Sequence, residues 1–256
     1  MGVVASASPE VAGQQGLHLY HGGMSNCSMR VRMTLEEKGL AWTSHHIDLR
    51  KAENTTPHYF AIHPKGLVPA LVHDGVVIIE STDIIDYLDE RYPDPPLHPA
   101  DPDARRTMHD WMRLAADNHI SVKAYMFANQ IGKRMAKSPE ALAEYLRLQK
   151  NAELREFHAE HSSPQGLSAE RLAKATAILE DCFARLDATL AEHEWLAGDA
   201  FSLADITWLP LYVTLNNAGF PFDAYPNVVR WKDAVRARPS FQKAVVEWVP
   251  KDLLRD

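Results

Sequence analysis

The stretch that decides the fold is residues 67–91, which read LVPALVHDGVVIIESTDIIDYLDER. Its apolar first part is interrupted by Asp74-Gly75, a dipeptide typical of tight hairpin turns. We therefore predict two antiparallel strands, with 67–73 leading into the turn and 76–79 returning from it. After three polar residues, the isoleucines and leucine of 83–91 fall on one face of a helix. The stretch thus predicts strand, turn, strand, helix.

The residues before this stretch predict a strand, a loop and a helix. Residues 17–20 form a short strand, and the loop 21–28 is rich in glycine and short polar side chains. A helix follows over 29–38, with Gly39 as its C-cap. A further strand fits 42–47. The order is therefore βαβ, an irregular segment, and ββα.

A change in composition marks the domain boundary. Five prolines fall between residues 93 and 102, a density that forbids continuous helix or sheet. We predict an α/β domain over 16–97, a linker over 98–103 and an all-helical domain over 104–256. The small, polar residues 1–15 predict a disordered tail.

The second half carries helix signals and little strand signal. Residues 104–129 predict one long helix, residues 139–160 a charged and helix-rich segment, and residues 168–193 a long amphipathic helix. Ser202 and Asp205 have the spacing of a capping box at the start of an apolar helix.

Composition excludes several classes of function. The chain has 256 residues and a net charge of -7, which gives no reason to expect nucleic acid or an anionic membrane as a partner. Its two cysteines, Cys27 and Cys182, favour a reducing, cytoplasmic location. The thirteen histidines are scattered, and His45-His46 does not match a metal-binding spacing. We therefore expect no metal site.

The loop Ser25-Asn26-Cys27-Ser28 is the strongest candidate for chemistry. It lies between a strand and a helix N-terminus, where unpaired N–H groups and the helix dipole stabilise an anion. A serine hydroxyl there adds a charge-assisted hydrogen bond and would lower the pKa of a bound thiol. From the residues alone, the alternative is that these are turn and N-cap residues only.

Four motifs resemble those of the serine-type cytosolic glutathione transferases. Residues 25–28 are similar to the Ser-Ser-Cys-Ser motif of the zeta class. Residues 63–71 resemble the family's Asn-Pro-x-x-x-Val-Pro-x-Leu segment, and 80–84 resemble its Glu-Ser-x-x-Ile. Residues 201–206 resemble the N-cap box of its core helix. The motifs keep the family's order across roughly residues 16–250.

The resemblance implies a fold, a co-substrate and an assembly. The fold is an α/β thioredoxin-like N-terminal domain followed by an all-α C-terminal domain. Glutathione binds to the first domain, and a small hydrophobic or aromatic substrate binds to the second. The family also implies a homodimer.

The resemblance further assigns roles to particular residues. Ser25 would hold the glutathione thiolate, with Ser28 as its rival, and a nucleophilic Cys27 as a further alternative. Glu80 and Ser81 would bind the γ-glutamyl ammonium and carboxylate. The implied glutathione-binding set is Asn26, Lys65, Val68, Pro69, Glu80, Ser81 and Thr82. A cis peptide bond between Val68 and Pro69 is plausible. The implied substrate pocket is Trp111, Met112, Tyr125, Trp208 and Tyr212.

A charged insertion at 130–168 resembles the bacterial lignin β-aryl-etherase branch. The leading hypothesis is therefore a glutathione thiolate that attacks an electrophilic carbon of an apolar substrate, with β-aryl ether cleavage as the specific reaction. The alternatives are a glutathione-dependent isomerase or reductase of the maleylacetoacetate-isomerase type, and a non-catalytic binding protein. Asn26, which replaces the second serine of the zeta motif, weakens the isomerase alternative.

Overall fold

A mixed sheet with helices against it forms the first half of the chain. The computed structural model describes residues 2–6, 8–251 and 254; the remaining residues of the expected tail and helical domain lie outside the described residues. Within these ranges the strand order is β1-β5-β4-β2-β3, with β2 and β3 parallel and the other pairs antiparallel. The strands are β1 (Val3–Val4), β2 (Leu17–His21), β3 (Thr43–His46), β4 (Ala70–His73) and β5 (Val76–Ile78).

Four α-helices belong to this half and eight to the second, counted over the described residues. The first four are α1 (Pro9–Ala12), α2 (Asn26–Glu37), α3 (Pro57–Ile62) and α4 (Ser81–Arg91). The others are α5 (Pro102–Asp117), α6 (His119–Met126), α7 (Pro139–Leu148), α8 (Ala152–Ser162), α9 (Ala169–Glu192), α10 (Leu203–Asn217), α11 (Pro226–Arg236) and α12 (Pro239–Phe241). The predicted fold class, an α/β domain followed by a helical domain, is confirmed.

The N-terminal segment differs from the predicted disordered tail. Val3 and Val4 pair with Ile78 and Val77 of β5 and extend the sheet by one strand. Val11 of α1 is fully buried beside β5. The edge of β5 and this apolar contact give the segment partners, which its composition alone does not reveal.

The predicted long helix 104–129 is two helices. It begins earlier, because Asp101 caps it by accepting a hydrogen bond from Ala104 N and Pro102 occupies the first turn. It breaks at Asn118, whose side-chain amide donates to Leu114 O at 2.9 Å. A short amide that competes for the backbone carbonyls favours such a break.

The capping box on α10 is confirmed and anchors the second half. Ser202 Oγ accepts from Ala204 N, and the Asp205 carboxylate accepts from Ser202 N at 2.9 Å. Trp231 Nε1 of α11 donates to the same carboxylate at 2.8 Å. The helix that follows is buried on all sides, so it forms the centre of the core that joins the two halves.

No helix among the described residues combines the length and apolar composition that crossing a bilayer requires.

Candidate active site

The loop that ends β2 presents Ser25 as the N-cap of α2. Its Oγ accepts a hydrogen bond from Ser28 N at 3.2 Å. Helix α2 therefore begins at Asn26, three residues before the predicted start. The Ser25 side chain is only half-buried, and its hydroxyl still has a proton to donate. The capping role and the donation of a hydrogen bond to a bound thiolate are thus compatible.

Ser28 occupies a different environment. It is fully buried, and its Oγ accepts from Gly22 N at 3.2 Å. A ligand in the loop does not reach a side chain with no exposed surface. Burial therefore disfavours Ser28, the rival that the sequence left open, and favours Ser25.

Arg32 fixes this loop from beneath. Its guanidinium is fully buried and donates to Gly22 O at 3.2 Å and to Gly23 O at 2.8 Å. Its Nε donates to Ala244 O in the C-terminal segment at 2.7 Å. Three backbone carbonyls thus accept hydrogen bonds from the buried guanidinium. Arg32 thereby connects the loop before Ser25 to the segment around Ala244.

Cys27 has a cationic environment. Its Sγ lies 3.8 Å from His119 Nε2 of α6 and 3.9 Å from Arg30 Nη1. Burial alone would raise the pKa of this thiol, but the charges of His119 and Arg30 and hydrogen bonds from His119 and Ser81 lower it to about 6. By contrast, burial raises the pKa of Cys182 to about 11. These surroundings therefore favour the thiolate at Cys27 and the neutral thiol at Cys182.

Arg30 joins Cys27 to the start of α4. Its Nη1 donates to Ser81 Oγ at 3.0 Å, and its Nε donates to Thr207 O of α10 at 2.9 Å. Its Nη2 is buried and has no hydrogen-bond partner among the described residues. This buried guanidinium therefore has spare capacity to donate toward an anion.

The start of α4 combines an exposed carboxylate with open backbone donors. Glu80 precedes the helix with φ 66°, a backbone region that is uncommon for residues with a side chain, and it makes no capping hydrogen bond. Its Oε1 pairs with Lys65 Nζ at 2.5 Å. The first N–H groups of α4, from Ser81 and Thr82, have no acceptor within the helix, so this N-terminus favours an anion. Backbone strain such as the positive φ of Glu80 is often found at ligand sites.

The segment before β4 leaves a backbone edge open. The Val68–Pro69 peptide bond is cis, which the sequence had left as plausible. Val68 lies just outside the β4 ladder, and its N–H has no partner within the described residues. A free backbone edge of this kind pairs with an extended peptide. Within the described residues, this region thus offers a carboxylate at Glu80, a hydroxyl at Ser81 and an unpaired backbone N–H at Val68.

The charged insertion contacts the first domain at this site. Gln149, between α7 and α8, is fully buried, and its side-chain amide donates to Lys65 O at 2.6 Å. Tyr145 of α7 packs beside it, and Lys137 Nζ lies 4.8 Å from the centre of the Tyr145 ring. The insertion therefore helps to position Lys65.

Helix α6 presents two cationic or basic side chains on one face. Lys123 follows His119 by four residues, which is one helical turn. Its Nζ lies 2.9 Å from His158 Nε2 and 4.8 Å from the centre of the Phe157 ring. Burial and the charge of Lys137 lower the pKa of Lys123 to about 8, although a thiolate at Cys27 acts in the opposite direction. An anion beside the N-terminus of α2 therefore faces this side of α6.

The expected substrate pocket is mostly hydrophobic core. Four of its residues are less than a tenth exposed, namely Trp111, Met112, Trp208 and Tyr212. The Trp208 indole donates to Trp111 O at 3.0 Å, and the two rings meet edge to face. Only Tyr125 is half-buried, with its ring against Phe220. An apolar helical stripe predicts burial, but it does not tell a core contact from a pocket wall.

Sequence reasoning missed His119, Arg30 and Lys123. Cys27 and His119 are 92 residues apart, and no local motif connects them. The only available signal was the four-residue spacing of His119 and Lys123 on one predicted helix, which is common on solvated helix faces.

Comparison with known proteins agrees with this geometry. The family model for the glutathione S-transferase N-terminal domain matches residues 24–91, and that for the C-terminal domain matches residues 125–239. Protein LigF of Sphingobium sp. (strain NBRC 103272 / SYK-6) is 31% identical, over 93% of this chain and 96% of LigF. The crystal structure of beta-etherase LigF superposes with a TM-score of 0.81 at 29% identity, covering 90% of this chain and 98% of LigF.

Two other relatives are a second glutathione S-transferase and an isomerase. Glutathione S-transferase Z2 of Arabidopsis thaliana is 31% identical over 93% of this chain and 94% of its own length. The maleylacetoacetate isomerase of Pseudomonas aeruginosa is 29% identical over 89% of this chain and 95% of its own length. The chain therefore belongs to the glutathione S-transferase family and is an enzyme that takes glutathione as its co-substrate.

Proposed function

We propose that glutathione lies between the starts of α2 and α4. Its γ-glutamyl ammonium pairs with Glu80, and its carboxylate accepts from Ser81 and the N-terminus of α4. Its cysteinyl backbone pairs with Val68, and its thiolate accepts from the Ser25 hydroxyl. The remaining assigned contacts are Asn26, Lys65, Pro69 and Thr82. The half-buried hydroxyl of Ser25 and the buried one of Ser28 support Ser25 as the activating group.

The reaction that we propose is displacement of an aryloxy group by this thiolate. A carbon–sulfur bond forms to glutathione, the carbon–oxygen bond of a β-aryl ether breaks, and the aryloxide leaves with the electron pair and then takes a proton. Preorganised positive charge where an anion develops lowers such a barrier. The observation that carries the proposal is the face of α6, where His119 and Lys123 lie opposite the N-terminus of α2.

Product analysis tests this reaction. The protein is incubated with glutathione and a model β-aryl ether ketone, and in parallel with 1-chloro-2,4-dinitrobenzene. We expect a glutathione thioether and one equivalent of free phenol from the ether, with a lower kcat and nearly unchanged glutathione affinity in Ser25→Ala. Ser28→Ala is the matched control and is expected to keep more activity. Turnover of the dinitrobenzene without release of phenol would reject the etherase reaction and retain the transferase.

A second candidate is a glutathione-dependent reductase that uses Cys27, and the low thiol pKa favours it. The Cys27 thiolate would attack a glutathione mixed disulfide, form a Cys27–glutathione disulfide and release the substrate thiolate. A second glutathione thiolate would then release Cys27 and form glutathione disulfide. A Cys27→Ala variant that keeps ether cleavage and loses disulfide reduction would show both activities. Loss of both would make Cys27 the nucleophile of the enzyme.

The assembly and location that we propose are a homodimer in the cytoplasm. The family relationship and the prevalence of two-fold closed assemblies support the dimer. The low cysteine count supports a reducing compartment. Light scattering at micromolar protein is expected to give twice the mass of one chain, and a single-chain mass would reject the dimer.

A further inference from the structure

A cluster of histidine and carboxylate groups lies at the junction of the two halves, on a different part of α4 from Ser81. His98 Nε2 of the linker lies 2.7 Å from Asp86 Oδ1 of α4. His109 Nε2 of α5 lies 3.0 Å from the same oxygen. The three ligand atoms are all within 4.8 Å of one another. Neither the etherase nor the reductase proposal uses any of them.

We propose that Asp86, His98 and His109 form a binding site for a divalent transition-metal ion such as Zn²⁺. Two imidazole nitrogens and one carboxylate oxygen are the ligand set that such ions prefer, with water as the fourth ligand. Bonds of about 2.0–2.1 Å in tetrahedral geometry place ligand atoms roughly 3.3 Å apart. The present separations from Asp86 therefore need to open by only a few tenths of an ångström.

The surroundings of His98 match those of a metal ligand. Its Nδ1 lies 2.6 Å from the buried carboxylate of Asp89, which holds the ring in place and directs Nε2 toward Asp86. Asp89 is itself fixed by Leu97 N and His98 N, each at 2.9 Å, and by an ion pair with Lys38. A histidine that donates its other nitrogen to a carboxylate is the usual second-shell arrangement at metal sites.

The local charge also favours a cation. Two carboxylates, Asp86 and Asp89, lie within hydrogen-bonding distance of the His98 ring. Their negative charge favours a cation at this position. His109 and Asp86 are partly exposed, with side-chain exposures of 43% and 32%, so an ion has a path from solvent.

The site would link the two halves of the chain. Its ligands come from α4 of the first domain, the linker and α5 of the second. A ligand that binds only the folded chain raises its stability in proportion to the logarithm of ligand concentration over Kd. Zn²⁺ is therefore expected to raise the thermal midpoint of the whole enzyme. This expectation reverses the one drawn from the scattered histidines of the sequence.

Competition with a chromophoric chelator measures the site directly. The full-length protein is first treated with a chelator and then titrated with zinc chloride. We expect one Zn²⁺ per chain, at least tenfold weaker binding in His109→Gln and in Asp86→Asn, and a visible absorption band of four-coordinate Co²⁺ that both variants lose. His109 and Asp86 are partly exposed, so the variants are expected to fold. The matched control is His58→Gln, since His58 also lies beside a carboxylate, Glu10, at 3.2 Å.

The outcomes separate this site from adventitious binding. Zinc binding that His58→Gln leaves intact and His109→Gln weakens supports the proposal. Equal affinity in wild type and His109→Gln would overturn it, as would the absence of binding at roughly 100 μM zinc, where weak surface sites begin to fill. A thermal midpoint that rises with zinc equally in wild type and both cluster variants would also overturn it.

Discussion

Replacing His119 with alanine tests the thiol environment that separates the two proposed reactions. The structure lowers the pKa of Cys27 from 9.0 to about 6, and the charge of His119 is the largest of the causes that lower it. At pH 7 the thiolate fraction of Cys27 is then about 90%, against about 1% for an unperturbed thiol. His119→Ala leaves Arg30 and Ser81 in place, so we expect the pKa to rise only part of the way toward 9.

The assay is the rate of alkylation by iodoacetamide as a function of pH, read at Cys27 by peptide mass spectrometry. Cys27 is partly exposed and Cys182 is buried, so one site dominates. We expect a midpoint near pH 6 in wild type and at least one pH unit higher in His119→Ala, which corresponds to about 1.4 kcal/mol. The comparison uses midpoints because the intrinsic nucleophilicity of a thiolate also changes with its pKa.

The control variant is His58→Ala, since His58 pairs with Glu10 and is not among the groups that shift the pKa of Cys27. The Cys27 midpoint of this variant is expected to equal that of wild type. A wild-type midpoint near 9 would refute the cationic environment of Cys27. An unchanged midpoint in His119→Ala would show that Arg30 and the helix terminus act alone. The first result would remove the observation that favours the reductase, whereas the second would keep the low pKa of Cys27 and change its cause.

Four further variants test other parts of the site and of the fold. Ser81→Ala and Glu80→Gln should each weaken glutathione binding in calorimetry by about 1–3 kcal/mol, the cost of a lost hydrogen bond to a charged group; unchanged affinity in both would remove the site assignment. Lys123→Met should slow ether cleavage most for phenols of high pKa, whereas the exposed Lys174→Met should not, and an equal slope of rate against phenol pKa would exclude Lys123 from leaving-group stabilisation. Ser202→Ala should lower the free energy of unfolding in urea by about 1 kcal/mol through loss of the helix cap, and an unchanged midpoint and slope would contradict that role.

The local parts of the fold were predictable because their signals are local. Asp74-Gly75 forms the turn between β4 and β5, and the Ser202 capping box begins α10 as its spacing indicates. Both depend on residues at most a few positions apart. The start of α2 was predicted three residues late, because Ser25 looks like a loop residue until its hydroxyl is seen to cap the helix.

Contacts across long stretches of chain were not predictable in the same way. His119 approaches Cys27, and His109 approaches Asp86, only after the helical half packs against α2 and α4. Trp111 of α5 shows a second limit of the sequence. It was expected in the substrate pocket, but an apolar residue on a helix does not show whether it meets another helix or a substrate. Here it meets Trp208.

Arg30 contacts both Cys27 and Ser81 and so couples the two parts of the site. The same guanidinium nitrogen, Nη1, donates to Ser81 Oγ and approaches Cys27 Sγ. Ser81 also helps to lower the pKa of Cys27, although it is assigned to a different part of glutathione from the thiol. Ser81→Ala should therefore have two effects. It should weaken glutathione binding, and it should move the alkylation midpoint of Cys27 to higher pH. If Ser81→Ala weakens binding and leaves that midpoint at pH 6, then Arg30 serves the two groups independently, and occupancy of the γ-glutamyl subsite does not influence the reactivity of the thiol.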